Sequence, residues 1–500
     1  MDPRMSTAAS QADLWLPVKP GSDLAVILAW IHLIVVDAAW DASFVDNHCV
    51  GLEELKAHVA NTTPAWAAQE AGVPEESIRQ AYTFMREAMP SVVIHPGRHV
   101  SWYGEADTQR ARGMAILTAL LGAWWTPGGT YRPESPVLGD LPGPDFPTFP
   151  YDVDAASQRF PFKQEVTTNG IRDATRTGKP YPVKGWFVHA TNLVQSIPHA
   201  EETLEAIRTL DMLVVCDVLP TEITRWADVL LPEDTYLERY DDILTGSGRE
   251  PFVGLRQPVV ASPYDTRPAW RIAKELAAEL GVGAYLDFAT MEDYLGARLA
   301  GTGVTLEDLR RDGVRTLPRK TALFLAPGTD HHFHTPSGKV ELFSQQLKDA
   351  GFDPLPAYRP QPEPPAGTLR LLYGRSPVHT FGRTQNNPIL ADVEPTNALW
   401  IHPEVAAKLG VQDGRMVEVR NRRGKGSGPL PARVTQRVDI DVVYMTHGHG
   451  HQAPGLTRAH GWGGDDSAVI EDYAVDPISG STGMRTEFVT VHAAGNRAEG

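Results

Sequence analysis

Cysteine is nearly absent. Two thiols, Cys49 and Cys216, serve all 500 residues, and no C-x-x-C pair occurs. That excludes a disulfide framework, a cysteine-built zinc site and a four-cysteine iron–sulfur cluster within this sequence. Basic charge is the minority sign, with 46 Lys and Arg against 62 Asp and Glu and a formal charge of −16. Phosphate backbones need basic stripes, so no nucleic-acid partner is expected. Long apolar runs are missing too. The most membrane-like stretch, Leu24–Val36, is interrupted by His32 and falls short of the ~20 residues a spanning helix needs. It reads as a buried core helix. With no export signal at Met1, the chain as written reads as cytoplasmic.

What is abundant is punctuation. Forty-four glycines and 41 prolines imply much ordered loop, as where loops build a cofactor cleft. From Asp23 to Gly129 helix-like and strand-like runs alternate: a helix over Leu24–Trp40, another in VPEESIRQAYTFMREA, a short buried strand at Val92–Ile94, and a helix stopped by TPGG. Residues 1–129 thus read as an α/β dinucleotide-binding domain, and residues 130–353 as a second α/β domain with strands at GWFVH, Met212–Cys216 and Val229–Leu231. Pro-rich residues 354–367 read as a linker. Residues 368–500 carry short strands between turn signals, the pattern of a β-barrel. The expected fold class is therefore α/β, with open cofactor-binding domains followed by a C-terminal barrel.

Four loops carry polar chemistry. KPGSD offers Lys19 for a phosphate, Gly21 for a turn that exposes backbone N–H groups, and Asp23 as an acceptor, although a plain turn and helix cap reads as well. HPGRHVSWYG places Gly97 and Arg98 beside aromatics; Arg98 forks onto oxyanions, and Gly97 allows close backbone approach. Asp217 stands just past a buried strand, where a carboxylate can hold a base or ribose or cap a helix. YGRSPVHTFGRTQNNP concentrates Gly374, Arg375, Ser376, His379, Thr380, Arg383 and Asn387 in one turn-rich segment and reads as an anion or cofactor loop. HGHGH would set His447, His449 and His451 on one side of a strand if extended. Gly448 and Gly450 instead make it a loop suited to hugging a cofactor, and no residue is assigned to a metal.

These motifs, in this order, resemble the molybdenum and tungsten bis-pterin oxidoreductases of the dimethyl sulfoxide reductase superfamily. MDPRMSTAASQADLWLPVKPGSD resembles the family segment that grips one guanine dinucleotide, with Lys19, Gly21 and Asp23 at matching positions. HATNLVQSIP resembles its G-x-N-P phosphate turn, keeping Asn192 but carrying Ala190 for the glycine and Leu193 for the proline. Asp217 matches the guanine acceptor of the second limb, and LGVQDGRMVEVRNRRG resembles the double-psi barrel turn. HPGRHVSWYG, LPEDTYLERYDD and GHGHQAPGLTRAHGWG are most like polysulfide and thiosulfate reductase catalytic subunits.

The resemblance implies molybdenum or tungsten held by two molybdopterin guanine dinucleotides, and Arg98 as the substrate-facing residue. It places His447, Gly448, Thr482 and Gly483 along the pterins, with a small inorganic anion as substrate. It also implies a further N-terminal portion bearing an iron–sulfur cluster and the metal's cysteine ligand, supplied by a partner chain or segment. An iron–sulfur electron-transfer subunit and a membrane anchor subunit would complete the assembly, exported as its full-length relatives are. The chain is then expected to be the C-terminal two-thirds of such an enzyme. An arsenic oxyanion enzyme is the nearest alternative, and a non-catalytic pterin-binding or scaffold protein is another.

Overall fold

A helix that is apolar all round has no face to offer water and must be enclosed. The computed structural model describes residues 1–95, 97, 102–146, 152–163, 165–326 and 331–495. It forms Leu24–Val36 as part of α1 (Asp23–Val36), with every residue from Leu24 to Ile31 buried. Asp23 sits in the first turn, where a carboxylate favours the helix dipole. Three helices pack around α1: α2 (Pro64–Ala71), α3 (Glu75–Ala88) and α4 (Asp107–Leu120). Trp30 Nε1 donates to the Ile78 carbonyl at 3.0 Å, tying α1 to α3.

The buried strand expected at Val92–Ile94 does not form. The residues there join no ladder and Val93 is 53 % exposed. Three apolar residues cannot hold an extended conformation without a neighbouring strand to satisfy their backbone. Among the described residues, this region's one ladder is a short parallel pair, Cys49–Val50 with Val340–Glu341. Leu342 and Leu355 return to the same apolar core.

The second cofactor-type unit is a parallel sheet of β1 (Gly185–His189), β2 (Met212–Asp217) and β3 (Val229–Pro232) in chain order, with Phe187, Val214 and Val229 in one row. Helices α5 (Thr168–Thr177) and α6 (Ala200–Thr209) supply the layer that buries Trp186, Val188, Leu213 and Val215. An antiparallel sheet of residues 244–247, 251–254 and 314–316 follows.

The C-terminal strands close into a six-stranded barrel. They are β4 (Leu369–Gly374), β5 (Leu399–Ile401), β6 (Met416–Asn421), β7 (Gly426–Val434), β8 (Val442–Thr446) and β9 (Phe488–Ala493), ordered β5-β7-β6-β9-β4-β8. Leu371, Val417, Leu430, Val443, Met445 and Val489 fill it. Strands β4 and β8 are parallel neighbours with Thr446 opposite Gly374, so the loops that follow them leave the barrel at the same end. No helix among the described residues is long and apolar enough to cross a membrane.

Candidate functional site

At that end the barrel loops face the carboxyl ends of β1 and β2 across a cleft of about 330 Å³. Carboxyl ends of parallel strands are where open α/β sheets receive ligands. The sheet contributes Ala190–Asn192, Gln195, Ser196 and Asp217–Leu219. The barrel side contributes Tyr373, Phe381–Arg383, His447 and Asp466, and Trp102 and Met484 close one wall.

The turn after β1 is tight in spite of its sequence. Ala190 has φ +54°, the left-handed region where glycine is the ordinary occupant, and its amide donates to the Cys216 carbonyl at 3.0 Å. Asn192 is clamped on both atoms of its amide: Nδ2 donates to Glu222 Oε2 at 2.6 Å and Oδ1 accepts from the Ile223 amide at 3.2 Å. Glu222 also accepts from His451 Nδ1 at 3.1 Å and from the amides of Gln452 and Ala453 at 2.8 and 3.1 Å. Burial opposes its ionisation, yet His451 and these amides hold the carboxyl down at about 2. Asp217 accepts from the amides of Val218 and Leu219 with one oxygen, and burial pushes its carboxyl above the usual range.

The three histidines of HGHGH do not share a side. Gly448 and Gly450 have φ +92° and +77°, so the chain turns between them and each ring meets its own carboxylate. His447 donates from Nδ1 to Asp466 at 2.9 Å, His449 faces Glu394, and His451 reaches Glu222. Burial works against a charged His447, but the adjacent Asp466 prevails and raises its pKa. Gly448 is required sterically as well, since a Cβ there would stand 2.3 Å from the Phe381 carbonyl oxygen.

Of the expected site residues, Asn192, Asp217, Arg383 and His447 line the cleft. Gly374 is the last residue of β4, and its carbonyl accepts from the His447 amide at 2.8 Å. Arg375 lies over the Phe381 ring at 4.0 Å. Ser376 and His379 turn inward to build the loop, with Ser376 Oγ accepting from the His379 amide, while Thr380 is exposed and its amide donates to Thr384 Oγ1. Asn387 caps the helix Pro388–Val393. Thr482 accepts from Asn169, and Gly483 lies against Gly104, where a Cβ would come within 2.5 Å of its amide nitrogen.

Lys19, Gly21 and Asp23 lie elsewhere. Lys19 pairs with Glu363 at 3.0 Å in a separate depression of about 160 Å³, beneath the Pro-rich segment. Gly21 packs against Gln361, and Asp23 stands 3.9 Å from the buried Arg110. Gly97 has φ +61° and donates to His95 Nδ1. Arg98 lies outside the described residues.

Sequence reasoning passed over Glu222, Asp466 and Tyr373. Glu222 stood in the quoted VVCDVLPTE, and Asp466 in a Gly-flanked acidic pair, GGDDS, which is the kind of signal that marks a buried carboxylate at a turn. Tyr373 Oη and Thr221 Oγ1 line the cleft, buried and without a hydrogen-bond partner. Buried polar atoms of this kind are satisfied by a ligand or water. The cleft therefore suits a polar, hydrogen-bonding group that threads between strand ends and barrel.

Two family models match the chain. Residues 1–279 match the molybdopterin oxidoreductase model, and residues 369–486 match the molydopterin dinucleotide binding domain. The thiosulfate reductase molybdopterin-containing subunit PhsA of Salmonella typhimurium is 31 % identical over 99 % of this chain and 69 % of its own length. Acetylene hydratase of Syntrophotalea acetylenica is 26 % identical over 85 % of the chain and 63 % of its length. Dimethyl sulfoxide reductase DmsA of Escherichia coli is 26 % identical over 90 % and 62 %. The chain thus spans about two thirds of the length of these curated relatives. Among solved structures, acetylene hydratase from Pelobacter acetylenicus superimposes with a TM-score of 0.77 at 22 % identity, over 99 % of this chain and 73 % of that one.

Proposed function

Because this chain belongs to the molybdopterin oxidoreductase family, within the dimethyl sulfoxide reductase superfamily, we propose that it serves the reduction of an inorganic sulfur anion, thiosulfate or polysulfide. The observation that carries the substrate class is the 31 % identity to a thiosulfate reductase subunit along 99 % of the chain. The cofactor is the family's molybdenum bis(molybdopterin guanine dinucleotide). When bound, it supplies the two-electron exchange. The partners in this reading are a chain or segment with an iron–sulfur domain, an electron-transfer subunit and a membrane anchor.

The residues present fit a pterin dinucleotide limb. Asp217 spends one oxygen on its own loop and keeps the other for the donors of a guanine edge. Asn192 is held by Glu222 and the Ile223 amide, so the turn that would face the phosphates is ordered before anything binds. Tyr373 and Thr221 offer hydroxyls, and Arg383 offers a guanidinium at the rim. His447 is oriented through Nδ1 by Asp466, which leaves Nε2 as the nitrogen that gains or loses a proton. Lys19, Gly21 and Asp23 would hold the other dinucleotide, and Arg98 would meet the substrate anion.

The test is the oxidation of reduced methyl viologen by the assembled holoenzyme, offered thiosulfate, polysulfide, arsenate or dimethyl sulfoxide in turn. Dye oxidation with a sulfur anion is expected. Turnover with arsenate or dimethyl sulfoxide and none with either sulfur anion would overturn the substrate class. Arg98→Ala should lower turnover while molybdenum content stays at the level of the unaltered enzyme.

A further inference from the structure

Two groups of side chains among the described residues bring three ligand-type atoms within 4.8 Å of one another. The first, His189, Cys216 and Glu233, already contains a cation, because the Arg239 guanidinium is ion-paired with Glu233. The second, His379, Glu394 and His449, is built differently. His379 and His449 are buried, at 5 % and 2 % exposure, on the loops that follow the parallel neighbours β4 and β8. Their rings meet edge to face at 5.4 Å.

We propose that His379, His449 and Glu394 form a zinc site that pins these two loops together behind the cleft. His449 Nε2 is buried without a hydrogen-bond partner, and Glu394 Oε1 stands 3.6 Å from it. That separation is too long for a hydrogen bond. It suits two ligands of one tetrahedral zinc, which at ~2.0–2.1 Å from the ion lie roughly 3.4 Å apart.

The surroundings hold the other atoms in place. Glu394 Oε2 accepts from Ser376 Oγ at 2.8 Å, which aims Oε1 at the histidines. His379 Nε2 donates to the Glu394 carbonyl at 2.8 Å, which fixes the ring and leaves the lone pair on Nδ1, where the ion would take the place of the 3.2 Å contact to Thr384 Oγ1. Outer partners of this kind orient metal ligands. Two imidazoles and one carboxylate make a nitrogen- and oxygen-donor set that zinc accepts, and magnesium and calcium, which take oxygen, do not favour. The ion would fix the segment that carries His447 into the cleft. This inference does not depend on the substrate reading.

The experiment uses the purified full chain, stripped with a chelator and titrated with zinc alone, with metal content measured after gel filtration. Cobalt substitution provides a second readout through its visible ligand-field bands. One zinc per chain is expected, with affinity falling at least tenfold in His449→Gln and in Glu394→Gln. The Glu394→Gln variant keeps an oxygen for Ser376 and so guards against simple misfolding, which circular dichroism of each variant would reveal. His334→Gln, in a second histidine cluster at residues 331–334 (HHFH), should bind as the unaltered chain does. No stoichiometric zinc, equal binding by the two cluster variants, or loss of binding on His334→Gln would each overturn the proposal.

Discussion

Replacing Glu222 with glutamine tests whether one carboxylate joins the sheet to the barrel. Glu222 accepts from Asn192 on the sheet side and from His451, Gln452 and Ala453 on the barrel side. Its side chain is 12 % exposed, so solvent screens these contacts little. A carboxyl held at about 2 where 4.5 is ordinary contributes on the order of 3 kcal/mol when ionised. The sign follows from the depression. The contribution is complete above the ordinary value of 4.5 and is lost as pH falls through the folded value of about 2.

Glutamine keeps the shape, removes the charge and turns an N–H group toward donors that need an acceptor. Urea denaturation followed by tryptophan fluorescence should place Glu222→Gln about 2–3 kcal/mol below the unaltered chain at pH 7. Between about pH 5 and 2 the unaltered chain should lose most of that margin, whereas the variant should lack this part of the acid limb. A variant within about 0.5 kcal/mol at pH 7, with its acid limb unchanged, would refute the reasoning.

Two backbone predictions follow from positive φ. Ala190→Gly should raise stability by about 0.5–1 kcal/mol, because an L-residue at φ +54° carries strain that glycine lacks, and Ala190→Val should lower it; a lower denaturation midpoint for the glycine variant would contradict this. Gly448→Ala should cost about 2–4 kcal/mol, since φ +92° and a Cβ 2.3 Å from the Phe381 oxygen leave no relaxed position. Thermal unfolding measures the loss, and because Phe381 lines the cleft, pterin content by fluorescence after oxidation should fall with it.

The elements were largely legible because their signals are local. The apolar run of α1, the alternation of Trp186 and Val188 in β1, and the turn-bounded strands of the barrel each carry their own periodicity. Val92–Ile94 shows the limit, since whether three apolar residues become a strand depends on a neighbour that local pattern does not specify. The cleft was legible in part. Asn192, Asp217, Arg383 and His447 stand in motifs dense with turn and polar residues, and folding brings them to one place. Ser376, His379 and Asn387 stand in equally dense motifs but are engaged within their own loop. Donor density counts hydrogen-bonding groups without saying where they point.

By itself the sequence determined the class of fold, the strand-end loops and the family, through residues whose meaning lies within a few neighbours. Only the tertiary structure decided that Ala190 could hold a glycine's conformation, and that three alternate histidines would go to three different carboxylates. Nor could local pattern show that Glu222, 230 positions from Gln452 in the chain, would bind it. Hydrogen bonds between buried groups are settled by distance and desolvation in three dimensions, and sequence separation carries no information about either.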